Sequence, residues 1–66
     1  MTGRIVSVDH ARQRGVVRDE DGRERSFERE GMILWLQFDT LRPGAQVRYD
    51  VESASGRAIN VALSPP

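Results

Sequence analysis

Cysteine is absent from this 66-residue chain, and His10 is its one histidine. No disulfide framework can brace the fold, no thiolate can hold zinc, and a lone imidazole cannot build the usual nitrogen and sulfur site. No metal or other cofactor is expected. Long apolar runs are missing too: the longest, Met32 to Leu36, has five residues, where a membrane helix needs roughly 20. The first residues do not form a basic-then-apolar leader. Cytoplasmic residence without a membrane partner is therefore expected. Lysine is also absent, so all ten basic residues are arginine, and they offset ten acidic ones. With no net charge, long-range attraction to a polyanion is lost and any phosphate contact must come from local clustering. The carboxylates alternate with arginine and none is spaced with a nucleophile and base, nor does any glycine loop suit a phosphate, so enzymatic activity is not expected.

Short strands and turn residues make up what is present. Ile5 to Val8 is apolar and mostly β-branched, and Gly15-Val16-Val17 forms a second strand that ends at Asp21-Gly22. Asp-Gly supplies the positive φ angles of a tight hairpin turn. Arg23 to Glu30 follows as a third strand of poor propensity, with Phe27 as its one apolar anchor. Gly31 to Thr40 reads as a loop with at most one helical turn, around Ile33 to Leu36. After the Pro43-Gly44 turn, Gln46 to Glu52 alternates Val47, Tyr49 and Val51 against polar residues. Past Ser53 to Gly56, the final strand places Ile59, Val61 and Leu63 on one face and Ala58, Asn60 and Ala62 on the other. The pattern predicts one all-β domain over residues 1–66, a small five-stranded antiparallel barrel of the OB type; an SH3-like barrel has the same strand count. So short a chain builds only a thin core.

The segments Thr2-Gly3, Arg12 to Val17, Asp21-Gly22, Leu41-Arg42-Pro43-Gly44 and Asn60-Val61 resemble the turns and strand lengths of a bacterial cold-shock domain. The resemblance covers nearly the whole chain. It implies an OB fold that binds single-stranded RNA or DNA by stacking bases on exposed aromatic rings, each worth roughly 1 to 3 kcal/mol. Where that family reads Lys-Gly-Phe-Gly-Phe-Ile and Val-Phe-Val-His-Phe, this chain has Arg12 to Val17 and Ser26 to Glu30. Ser7 stands in place of a tryptophan, Arg14 and Val16 in place of two phenylalanines, and Arg29 in place of a histidine. Only Phe27 matches an aromatic position. The resemblance thus implies a nucleic-acid site of Arg12, Arg14, Val16, Arg25, Phe27 and Arg29, with Arg18 alongside. Without stacking, its binding should be weak, salt-sensitive and nearly indifferent to base.

Phe27 itself has two possible settings. The family's register would turn Ser26 and Glu28 inward, and burying an unpaired carboxylate costs several kcal/mol. A shift of one residue turns Phe27 into the core instead, and is favoured on that ground, with Arg12, Arg14, Arg18, Arg25 and Arg29 left outward among carboxylates. His10 reads as a solvated loop residue. The apolar loop also has two readings. In one it caps the core, with Ile33 and Phe38 inserted and Trp35 closing over them, which the preference of such side chains for the interior favours. In the other, Met32, Leu34, Trp35 and Leu36 form an exposed patch that binds a protein partner or a second copy of the chain.

Overall fold

A computed structural model describes residues 1–64 of the chain. Its strands are β1 (Thr2–Asp9), β2 (Arg14–Asp19), β3 (Glu24–Glu28), β4 (Gln46–Val51) and β5 (Ala58–Leu63). They form one antiparallel sheet in the order β3-β2-β1-β4-β5. β1 is longer than its apolar run suggests because it serves two neighbours: it pairs with β2 along most of its length and with β4 at Thr2, Gly3 and Arg4. A bulge between Ile5 and Ser7 adds one residue opposite β2. The extra residue exchanges faces, so Ile5 and Val8 both point to the core while Ser7 looks out.

The β2–β3 hairpin is longer than the expected tight Asp-Gly turn, and Asp21 does not share the positive φ. Arg18 pairs with Glu24, Asp19 N–H donates to the Arg23 carbonyl at 2.7 Å, and only Gly22 has positive φ, at 89°. This is the longer type of hairpin loop, in which the last residue adopts the left-handed conformation, and glycine does so without cost. β5 corrects the expected alternation. Asn60 has φ of 52° beside a register shift opposite Arg48 to Asp50, and the bulge puts Ala58 and Val61 in the core while Ile59 is only half-buried. Two short 3-10 segments, Arg29–Gly31 and Trp35–Thr40, replace the single expected turn. The second begins later than foreseen and runs further, with the Thr40 hydroxyl bonded to the Gln37 carbonyl at 2.9 Å.

Phe27, Phe38, Leu41, Val17, Val47 and Val61 form the heart of the core. Met32 bridges in parallel to Val61, and Ile33 N–H donates to the Val61 carbonyl at 3.0 Å. The chain leaving β3 thereby meets β5. One acidic side chain is buried with this apolar set. Asp19 accepts the Tyr49 hydroxyl and Arg25 Nε, the latter at 3.0 Å, while an Arg25 terminal nitrogen donates to the Gly56 carbonyl at 2.9 Å. The side chains of Asp19 and Arg25 are 1% and 13% exposed. Every buried charge here has a counter-charge, as the cost of desolvation demands. Among the described residues no helix is long and apolar enough to cross a membrane.

Candidate functional site

The outer face of β1, β2 and β3 is built in three cross-strand rows. Arg4, Arg18 and Glu24 form one, Ser7, Val16 and Ser26 the next, and Asp9, Arg14 and Glu28 the third. Three arginines thus meet three carboxylates, so the face has no net charge, and its central row carries no aromatic ring. Arg18 is tied to Glu24 at 2.7 Å. Glu28 is 3.4 Å from Arg57.

Of the six residues expected to contact nucleic acid, three lie on this face or at its edge. Arg12 sits in the β1–β2 turn with its N–H on an Asp9 carboxylate oxygen at 3.0 Å, Arg14 is exposed, and Val16 is half-buried. The other three do not join them. Phe27 is 0% exposed and cannot offer a ring to a base. Arg25 lies on the core side of β3 and is committed to Asp19 and Gly56. Arg29 is half-buried, with its guanidinium 6.0 Å from the centre of the Phe38 ring and 3.6 Å from Asp39. The signal for Arg25 was in the sequence: strand residues two apart share a face, so a core Phe27 takes Arg25 inward with it.

His10 is exposed but not free of the fold. Its ring meets Phe38 edge-on at 5.4 Å, and Phe38 meets Phe27 in the same manner at 6.5 Å.

The apolar loop divides differently from either expectation. Phe38 is inserted, but Met32 is buried with it, at 1% and 3% exposure. Met32 therefore leaves the expected patch. Ile33 and Trp35 do not cap the core; Met32, Phe38 and Leu41 are the buried residues of this stretch. Ile33, Leu34, Trp35 and Leu36 are instead 62%, 58%, 57% and 78% exposed. Four consecutive large apolar side chains stand as a ridge between two buried anchors.

Beside the ridge lies an open hollow of about 620 Å³. Met1, Ile33, Tyr49 and Ala62 line it together with the charged side chains Asp19, Glu20, Asp21, Arg48 and Asp50. Ile33 belongs to both features. No protein-family model and no curated protein matches the chain.

Proposed function

We propose that this domain is a binding module, not a catalyst, and that it docks on another protein surface through the ridge Ile33 to Leu36. The observation that carries this reading is the exposure of four adjacent large apolar side chains in a chain of 30% charged residues. Single exposed apolar residues are ordinary, but contiguous patches on the order of 300 to 600 Å² are the largest on typical monomers and are often functional. The ridge is tied down at both ends. Met32 and Phe38 are buried in the core on either side of it, and Gln37 N–H closes onto the Leu34 carbonyl at 3.0 Å.

Capture with the wild-type chain, with Leu34→Ser/Trp35→Ser/Leu36→Ser, and with Arg12→Ala/Arg14→Ala tests the reading. A protein retained by the wild type and the arginine variant but lost from the ridge variant supports it. Equal retention by all three contradicts it.

A second reading keeps the cold-shock resemblance. The strand order and the parallel Met32 to Val61 contact are what an OB-type barrel would have where its edge strands meet, and Arg12, Arg14 and Val16 would be the remnant of a single-strand site. Arg14 favours it, being exposed and making no ion pair among the described residues. Such binding would be weak and would weaken further as salt rises.

A further inference from the structure

We infer that Arg25 is a clasp holding the two end strands of the sheet together, and that the domain opens locally at this seam when the clasp is released. β3 and β5 stand at opposite ends of the strand order, yet the chain from Arg25 to Ile33 runs beside Gly56 to Val61. An Arg25 terminal nitrogen meets the Gly56 carbonyl at 2.9 Å, and Arg57 lies 3.4 Å from Glu28. Further along, a Cβ on Gly31 would come within 3.7 Å of the Ala58 carbonyl oxygen, and Met32 bridges to Val61.

Contact along this seam is not pairing. Every other pair of neighbouring strands is joined by a ladder of residues, whereas here the backbone link is confined to the Met32 to Val61 bridge and the bond from Ile33 N–H to the Val61 carbonyl. Between Arg25 and Glu28, among the described residues, only side chains tie β3 to the turn before β5. A sheet opens most easily where the fewest bonds cross, and such local opening precedes global unfolding.

The two side-chain ties differ in weight. Glu28 and Arg57 are both exposed, and an ion pair in water contributes little. Arg25 is largely shielded, and its Nε is held by the buried Asp19, which also accepts the Tyr49 hydroxyl. One guanidinium fork thus connects β3 to β2 through Asp19, to β4 through Tyr49, and to the β4–β5 turn through Gly56. A shielded, charge-assisted bond outweighs an exposed pair, so Arg25 carries most of the closure at this end. Phe27 and Val61 are the fully buried side chains of the two strands that meet here, and opening would uncover them.

Thiol labelling of the folded chain tests the inference, and because the chain has no cysteine, one introduced thiol reports opening at its own position. Val61→Cys places it at the seam, and Val47→Cys places it in β4, which is paired on both sides; both positions are fully buried. Each is labelled with and without Arg25→Lys, which keeps a charge beside Asp19 but lacks the fork that reaches Gly56 as well. Should that chain fail to fold by circular dichroism, Asp19→Asn/Arg25→Met removes the clasp without leaving a buried charge unpaired. Loss of the clasp should speed labelling at position 61 at least about tenfold, while position 47 changes far less. Equal acceleration at both positions would mean that Arg25 acts on global stability alone, and no acceleration at position 61 would mean that it closes nothing; either result overturns the inference.

Discussion

Gly15 and Phe27 face each other across β2 and β3, and a Cβ added to Gly15 would come within 2.8 Å of both the Phe27 ring and the Ser7 carbonyl oxygen. The ring fills the space a side chain would occupy. Gly15 thus leaves the room that the buried Phe27 ring takes up, and the approach to Ser7 involves backbone that cannot move aside easily. Gly15→Ala is expected to destabilise the fold by about 1 to 3 kcal/mol, as overpacking does, and Phe27→Ala by about 3 to 5 kcal/mol. Urea denaturation followed by circular dichroism measures both.

Removing Asp19 leaves Arg25 and Tyr49 without their shared partner. Breaking a buried pair from one side costs about 3 to 5 kcal/mol, so Asp19→Ala should approach the whole stability of so small a domain, while Tyr49→Phe should cost only about 1 to 2 kcal/mol. Thermal unfolding of the two variants checks the ranking. Equal and small effects would show that the contact contributes little.

The two ends of the apolar loop should respond oppositely to truncation. Phe38→Ala is expected to cost about 3 to 5 kcal/mol. Trp35→Ala, at an exposed position, should stay within about 1 kcal/mol in the dilute chain. Denaturant midpoints at low protein concentration give the comparison.

Any oligothymidine binding should be electrostatic. The affinity should fall as salt rises, and Arg12→Ala/Arg14→Ala should lower the slope of log affinity against log salt by about two, one for each phosphate contact removed. Fluorescence anisotropy with a labelled oligonucleotide measures the slope. Tight binding that persists at high salt would point to stacking on a ring.

Much of the sheet was legible because its signals are local. Val47 and Tyr49 alternate with charged residues and are buried as that alternation requires, and Gly22 turns the hairpin where glycine was needed. Bulges hid the rest. The bulge at Asn60 adds one residue in β5, so that Ala58 faces the core in place of Ile59 while Val61 and Leu63 keep the expected face, and no hydropathy pattern marks it. Arg25 was misplaced because charge argues for water, whereas its partner Asp19 lies across the hairpin, and the Tyr49 that completes the buried group is 30 residues from Asp19. The ridge was visible as a greasy run, but its exposure was not. Met32, Phe38 and Leu41 are the apolar residues of this stretch that enter the core, and which of several greasy neighbours do so is a matter of shape and volume that sequence order does not carry.

The state of Trp35 in the isolated chain tests the ridge most directly. It is the only tryptophan, so its fluorescence is unambiguous. At low protein concentration the emission should be red and readily quenched by a neutral quencher. Blue, quencher-resistant emission at every concentration would mean that Trp35 is buried within the monomer, and would contradict an exposed ridge.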